Sequence, residues 1–176
     1  MVRVTHGSAH QLVLLRHAKA EHPGSLDDQL RPLALTGRKQ ATEVGTGLRA
    51  AGLVPDLALV SSALRTRQTW DLVRAGLEVP AETARLSDDV YAAGIRQLLG
   101  LLRGLDESAG TVLVVGHEPT VSQTAAALAG PGSDDAALAR VRVGVATASY
   151  SVLEVPSAWA ALEPDGARLL RVVDPA

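Results

Sequence analysis

Two histidines in this chain each follow a short apolar run. The run Leu12–Leu15 leads directly into Arg16 and His17, and a second run, 111–115, is followed by Gly116 and His117. Apolar runs of this length, ended by polar residues, are typical of buried strands in a parallel sheet. Ligands bind beyond the carboxyl ends of such strands, so two imidazoles delivered to one edge predict a catalytic site.

Arginines near the same strand ends indicate that the ligand is an anion. Arg16 precedes the first histidine, and Arg65 follows a third apolar run, 57–60, by a few residues. Guanidinium forks match phosphate oxygens in a bidentate way and stay charged at physiological pH. Arg67 is the competing ligand, and the spacing from Ser61 favours Arg65. The sequence has no GxxxxGK[ST] loop, which argues against nucleotide hydrolysis through a P-loop.

A histidine in such a site can act as a nucleophile and divide phosphoryl transfer into two steps. The reaction requires one ring nitrogen that is unprotonated and faces the phosphorus atom. We expect the surrounding positive charge to lower the pKa of the histidine in the empty site, which favours the free base. We also expect a backbone carbonyl to hold the other ring nitrogen.

Composition places the chain among small α/β domains. Its 176 residues fit one domain, 1–176, and the absence of cysteine excludes disulfides and thiolate zinc sites. The net charge of −2 does not favour nucleic acid, and no apolar stretch approaches the roughly 20 residues that span a bilayer. Residues 1–10 are polar, without an apolar signal core, and predict a flexible tail. The expected location is the cytoplasm.

Strands alternate with helices along the chain, which predicts a mainly parallel sheet covered on both faces, with an antiparallel edge. Thr36 is the predicted N-cap of the first helix, Gly52 its left-handed C-cap, and 164–166 the turn of a closing hairpin. The segment 130–139 is predicted to be a surface loop. The predicted strands are 12–15, 57–60, 82–86, 111–115, 141–155 and 167–173, and the predicted helices are 37–51, 63–75, 94–104 and 120–128.

Three segments, 14–18, 61–69 and 115–119, together resemble the histidine phosphatase superfamily, also called phosphoglycerate mutase-like. The resemblance covers roughly residues 11–130 and implies a three-layer α/β/α fold. Four further segments are similar to the small SixA-type phosphohistidine phosphatases, and the short chain leaves little room for a cap domain. They are Arg16–Ala20, Asp28–Leu33, Thr36–Arg38 and Tyr91–Ala93.

The resemblance also implies roles for individual residues. His17 becomes the phosphorylated nucleophile, while Arg16, Arg65 and His117 form the phosphate pocket, which phosphate or sulfate can occupy. Pro23 stands about where mutase-like members of the family have an asparagine, which weakens a sugar-phosphate mutase interpretation. No cofactor or metal is expected, and neither nucleic acid nor membrane is an expected partner.

The sequence leaves the identity of the general acid open, and this identity determines which class of substrate the protein can hydrolyse. Asp88, Asp89 and Glu118 are candidates, although each is more often a solvated or structural carboxylate. The SixA-type resemblance implies that a dedicated acid can be absent. Its absence suits an imidazole leaving group, whereas an alkyl phosphate needs a proton donor. If Glu118 is the acid, Glu118→Gln affects mainly alkyl phosphates.

The predicted function is that of a phosphatase acting through a covalent phosphohistidine on His17, with a phosphohistidine-bearing protein as substrate. The alternative is a phosphomonoesterase for a small phosphorylated metabolite. An alternative of another class is an inactive module that binds phosphorylated ligands, and the complete arginine and histidine set argues against it.

Other polar residues are assigned structural roles. Arg31 is expected to close its loop onto Asp27 or Asp28, and Ser62 to cap a helix. His6 and His10 have the i, i+4 spacing of helical metal ligands, but with no third ligand in view they are expected to belong to the tail.

Overall fold

A six-stranded sheet organises the molecule. The computed structural model describes residues 9–176. In chain order the strands are β1 (His10–Arg16), β2 (Leu57–Ser61), β3 (Ala84–Ser87), β4 (Thr111–Gly116), β5 (Tyr150–Val155) and β6 (Arg168–Val173). The helices are α1 (Leu35–Ala50), α2 (Leu64–Leu77), α3 (Asp88–Ala92), α4 (Ile95–Arg103), α5 (Thr120–Leu128) and α6 (Asp135–Val143).

The strand order, β3-β2-β4-β1-β5-β6, places β1 and β4 side by side in the centre of the sheet. They are parallel, and Arg16 lies opposite Gly116 in their register. β2 and β3 continue the parallel part, whereas β5 and β6 are antiparallel. His17 and His117, which follow these two residues, therefore lie side by side at the same edge of the sheet.

Helices cover both faces of the sheet because successive residues of a strand point to opposite sides. Leu12 and Leu14 of β1 pack into one core with α4, α5 and α6. Val13 and Leu15 pack into the other core with α1 and α2. The side chains of all four are fully buried or nearly so. The three-layer α/β/α, phosphoglycerate mutase-like fold predicted from the sequence is confirmed.

The segment after α5 differs from its prediction. The last part of the predicted loop 130–139 and the first part of the predicted strand 141–155 lie in α6, which spans Asp135–Val143, and the strand begins only at Tyr150. Asp134 starts this helix, because its side chain accepts a hydrogen bond of 2.8 Å from the backbone N–H of Ala137. The buried face of α6 consists of Ala137 and Val141.

Two helix starts also differ. α1 begins at Leu35 after Ala34, which makes no side-chain cap, so the predicted cap at Thr36 is wrong. Gly52 has φ +71° and ends this helix as predicted. The short helix α3 was not predicted, and it begins where the Ser87 hydroxyl accepts from the backbone N–H groups of Asp89 and Val90.

The two ends of the described chain complete the sheet. β5 and β6 pair as predicted, but their connection is longer than a tight hairpin and carries a one-turn 3₁₀ helix, Trp159–Ala161.

His10 is the first residue of β1, so the predicted tail 1–10 does not extend that far, and His6 lies outside the described residues. Between residues 9 and 176, no helix combines the length and hydropathy needed to cross a bilayer.

Candidate active site

The two histidines meet at the carboxyl ends of β1 and β4. The backbone N–H of His17 donates to the carbonyl of Gly116 at 3.0 Å, which extends the ladder by one residue beyond the strands. The two imidazole centroids are 5.3 Å apart, with the ring planes inclined at 57°. The sheet thus brings together the two predicted residues, although they are far apart in sequence.

The imidazole of His17 is held in one orientation. Its Nδ1 lies 2.7 Å from the backbone carbonyl of Ala18, which can only accept, so Nδ1 carries the proton and Nε2 a free lone pair. The Ala18 N–H in turn donates to Thr69 Oγ1 at 3.0 Å, which fixes this carbonyl to α2. The expected backbone carbonyl is therefore present.

Burial keeps this imidazole neutral. It is the largest of the effects that together lower the pKa of His17 to about 3. Interactions with His117, Arg65 and Arg16 act in the same direction, against the raising effect of the hydrogen bond to the Ala18 carbonyl. The sequence predicted the direction but named only the charges, whereas burial is the largest cause. At neutral pH Nε2 is consequently available as a nucleophile.

The chain after His17 crosses α1 at very short range. A Cβ atom on Gly37 would lie 2.0 Å from the backbone oxygen of Lys19, so only glycine permits this crossing. The same Lys19 oxygen accepts from the N–H of Ala34 at 2.9 Å. These two contacts fix the ends of loop 21–34, which lies at the mouth of the site.

Arg65 is buried at the start of α2 and is bound by that loop. Its Nη1 donates to the backbone carbonyl of Asp28 at 2.7 Å, and its Nη2 donates to the Asp28 carboxylate at 2.9 Å. The side chain of Arg65 is only 6% exposed. Arg31 binds the other carboxylate oxygen at 3.1 Å, so its predicted closure onto Asp28 is confirmed.

His117 lies between Arg65 and Ser61. Arg65 Nη2 donates to Nδ1 of His117 at 3.2 Å, so the proton of the neutral ring is on Nε2, which is 2.7 Å from Ser61 Oγ. Burial and the Arg65 charge lower the pKa of His117 to about 4, and the carboxylate of Asp28 partly offsets them. A bound anion would favour the protonated ring and gain a donor from it.

Arg16 is held by a different loop. Its Nη1 donates to the carbonyl of Val145 at 2.8 Å, in the loop that connects α6 to β5. In that loop Ala148 has φ +60°, and its N–H donates to the carbonyls of Arg16 and His17 at 3.2 and 3.1 Å. The side chains of His17, Arg65 and His117 thus lie together, and the charge of Arg16 acts on both histidines.

The three candidate acids are occupied elsewhere or exposed. The carboxylate of Glu118 accepts from the N–H and hydroxyl of Ser122 at 2.9 and 2.7 Å, and from the N–H of Val145 at 3.3 Å. Asp88 accepts a hydrogen bond from Ser62, which therefore does not cap α2 as predicted. Both Asp88 and Asp89 are exposed at the start of α3.

Glu118→Gln is expected to act on stability. The glutamine amide keeps one acceptor oxygen, but its NH₂ group faces partners of Glu118 that are themselves donors. The thermal unfolding temperature is therefore expected to fall by a few degrees, equivalent to about 1 kcal/mol. The ratio of turnover on a phosphoramidate to turnover on an alkyl phosphate stays unchanged. A selective loss on the alkyl phosphate would instead restore Glu118 as the acid.

Three residues at the site were not singled out from the sequence as members of it: Asp28, Ser61 and Tyr91. Tyr91 donates from its hydroxyl to Asp28 at 2.9 Å, and its ring packs edge-to-face on His117 with centroids 5.5 Å apart. Asp28 and Tyr91 lie in segments that carry the SixA-type resemblance, and Ser61 directly follows the predicted strand 57–60 and begins the segment 61–69 of the superfamily resemblance. Arg67, the rejected alternative to Arg65, is exposed.

The described residues include no cluster of three or more His, Asp or Glu side chains that could hold a metal ion. His10 instead lies 3.0 Å from the backbone oxygen of Ser157 and 3.4 Å from the carboxylate of Glu107.

The lowered histidine pKa values predict a pH-dependent stability. The unfolded chain binds protons at these rings near pH 6.5, whereas the folded chain binds them only near pH 3 and 4. The stabilisation that the two neutral rings contribute is therefore fully present above about pH 6.5. As the pH falls toward 4, the free energy of unfolding decreases by up to about 1.4 kcal/mol per pH unit for each histidine. Urea unfolding between pH 7 and 4.5 measures this slope. His117→Ala should reduce it, whereas an unchanged slope would contradict the assignment.

Comparisons with known proteins agree with this geometry. The family model of the histidine phosphatase superfamily (branch 1) matches residues 12–88. An uncharacterised protein of Mycobacterium tuberculosis strain H37Rv is 38% identical over 157 residues, which cover 89% of this chain and 96% of that protein. An uncharacterised protein of Mycobacterium leprae is 32% identical over 160 residues, with the same coverage of both chains.

Solved structures are similar along almost the whole chain. A candidate SixA phosphohistidine phosphatase from Nakamurella multipartitia superposes with a TM-score of 0.83 and 34% identity, over 97% of this chain and 98% of that one. A second candidate SixA, from Agrobacterium tumefaciens, gives a TM-score of 0.79 and 27% identity over 96% and 100%. The protein histidine phosphatase SixA in complex with tungstate, 21% identical with a TM-score of 0.75 over 94% and 97%, shares the fold.

The chain belongs to the histidine phosphatase superfamily and is a phosphatase of that type. Within the superfamily it is a member of the SixA-type branch.

Proposed function

We propose that this phosphatase works through a covalent phosphohistidine on His17. Nε2 of His17 forms a bond to phosphorus while the bond to the leaving group breaks, and the leaving group departs with that electron pair and takes up a proton. Water then attacks the phosphohistidine, which releases inorganic phosphate and restores the imidazole. The hydrogen bond from Nδ1 to the Ala18 carbonyl supports this role, because it leaves Nε2 with the lone pair.

Three other side chains are proposed to bind the phosphoryl group. Arg16 and Arg65 supply fixed positive charge, and His117 adds a donor once it is protonated. Their contribution is electrostatic: negative charge on the transferring phosphoryl oxygens is stabilised by groups already in place. The backbone carbonyls and the carboxylate that hold the two arginines support this role.

We propose protein phosphohistidine as the substrate, and the state of the carboxylates at the site is the observation that carries this proposal. In the part of the chain that the structure describes, Asp28 is the one carboxylate hydrogen-bonded to the arginine and histidine cluster. Burial raises its pKa, but hydrogen bonds from Tyr91, Arg65 and Arg31 outweigh burial and bring the pKa to about 2, so at neutral pH it has no proton to give. An imidazole leaves readily without a strong acid, because its own pKa is near neutrality, whereas an alkoxide does not.

A comparison of turnover on two substrate types tests this proposal. Purified protein is assayed on a phosphohistidine-containing protein or peptide and on an alkyl phosphate, with His17→Ala beside each. The expected result is a kcat/KM at least about 100-fold higher on phosphohistidine, abolished by the substitution. Preference for the ester would identify a phosphomonoesterase for a small metabolite. Phosphate binding without turnover or labelling of His17 would identify a binding module.

Activity is expected to persist in a metal chelator. The positive charge that a metal would bring is supplied by the guanidinium groups of Arg16 and Arg65. Assays after dialysis against EDTA, with and without added Mg²⁺, should give the same kcat within about twofold. A loss on chelation that Mg²⁺ restores would contradict the proposed mechanism.

A further inference from the structure

One carboxylate organises the mouth of the site. The same Asp28 oxygen, Oδ2, accepts from Arg65 Nη2 and from the Tyr91 hydroxyl, each at 2.9 Å. The Asp28 backbone carbonyl accepts from Arg65 Nη1 at 2.7 Å, so one residue binds both terminal nitrogens of the guanidinium. Arg31 holds the remaining carboxylate oxygen at 3.1 Å. Asp28 therefore restricts Arg65 at two points and is itself held at two more.

The contacts continue from Asp28 to the second histidine. Arg65 Nη2 donates to Nδ1 of His117 as well as to Asp28, and the rings of Tyr91 and His117 pack in a T-shaped arrangement. Asp28, Arg65, His117 and Tyr91 thus form a closed ring of contacts. Displacing Asp28 would release the guanidinium from two of its three hydrogen bonds and leave the Tyr91 hydroxyl without this acceptor.

We propose that Asp28 is a positioning residue for catalysis, which orients Arg65 toward the phosphoryl group, and that Tyr91 fixes Asp28 in that role. This inference rests on the proposed function only in assigning Arg65 to the phosphoryl group. Asp28 itself does not bind the substrate, because two anions would repel each other. Its carboxylate is half exposed, at 51%, so its role is not that of a buried structural group.

The effect on turnover is tested by a double-mutant cycle, with any phosphorylated substrate that the enzyme hydrolyses. Asp28→Asn keeps the shape and the backbone carbonyl but removes the charge, and it is expected to lower kcat by about 10- to 100-fold, the equivalent of one charge-assisted hydrogen bond. In an Arg65→Ala background the same substitution should cost less than about threefold, because the residue through which it acts is absent. Asp27→Asn, at the neighbouring exposed carboxylate, is the matched control and should change nothing.

Tyr91→Phe separates the two contacts of the tyrosine. It keeps the ring against His117 and removes only the hydrogen bond to Asp28, so a loss of about two- to fivefold is expected. This loss should disappear when it is combined with Asp28→Asn. A full loss that persists in that background would show that Tyr91 acts without Asp28.

A measurement independent of activity keeps this inference separate from the proposed function. ¹⁵N relaxation of the Arg65 Nε–H group should report an ordered side chain in the wild type and in Asp27→Asn, and a measurably less ordered one in Asp28→Asn. An equally ordered Arg65 in Asp28→Asn, or an equal loss of kcat in both backgrounds of the cycle, would overturn the positioning role. Turnover that survives His17→Ala would instead refute the proposed function and leave the relaxation result standing.

Discussion

Replacing His17 with alanine is expected to lower turnover by at least about 10⁴-fold, on phosphohistidine and on esters alike. Nε2 of His17 is the unprotonated nitrogen that the proposed reaction needs, because Nδ1 of the same ring donates to the Ala18 carbonyl. His117 offers no such nitrogen, because its Nδ1 accepts from Arg65 and its Nε2 is bonded to Ser61. Without Nε2 of His17 the phosphoryl group has no covalent acceptor. Water would have to attack the substrate directly, assisted only by the charges of the pocket.

The measurement combines steady-state kinetics with labelling. Brief incubation with a ³²P-labelled substrate, followed by alkaline quenching, should leave label on the wild-type protein and none on His17→Ala. His22→Ala is the matched control, because His22 is an exposed histidine of the neighbouring loop. Thermal unfolding of each variant verifies that it is folded. Label retained by His17→Ala would refute the assignment of the nucleophile.

Replacing Arg65 with alanine is expected to lower kcat/KM by about 10³-fold. The guanidinium supplies fixed positive charge and touches both Asp28 and His117, so its removal also withdraws a donor from the second histidine. Arg65→Lys retains the charge but not the fork and should recover only part of the loss. Stability should change little through the lost ion pair, since the Asp28 carboxylate is half exposed and can be solvated by water.

Arg67→Ala is the matched control for Arg65. Arg67 lies two residues further along α2, is exposed, and was the alternative ligand in the sequence. Its removal should leave kcat/KM within about twofold, as is usual for a surface position. A loss at Arg67 as large as that at Arg65 would contradict the assignment of the pocket.

The sequence predicts the two histidines that follow strands and misses Asp28, which comes from the segment between β1 and α1. Leu12–Leu15 and 111–115 are short and wholly apolar, so both their buried state and the position of the histidine after each could be inferred. Asp28 reaches Arg65 across 37 positions, from a loop with no periodic pattern. The resemblance included its segment, but nothing in the residue types indicated that this carboxylate would meet that arginine.

The main error of the secondary-structure prediction has a physical cause. Val141, Val143 and Val145 alternate with other residues as in a strand, yet Val143 lies at the end of α6 and is 91% exposed. The Asp134 cap and the buried pair Ala137 and Val141 favour the helix. Three alternating valines cannot distinguish a strand from a helix, because the pattern is too short to show which side chains are buried.

The register between β1 and β4 has a consequence for how the enzyme is inactivated. His17 and His117 follow a central parallel strand pair, and we expect the amide protons of such a pair to exchange only at a free-energy cost close to that of global unfolding. Arg65 is oriented instead by a loop in which positions 21–30 are all exposed, and such loops open at a far smaller free-energy cost. In rising denaturant we therefore expect the contacts between Asp28 and Arg65 to open before the central strands do. Turnover should then decline while His17 still holds its native position.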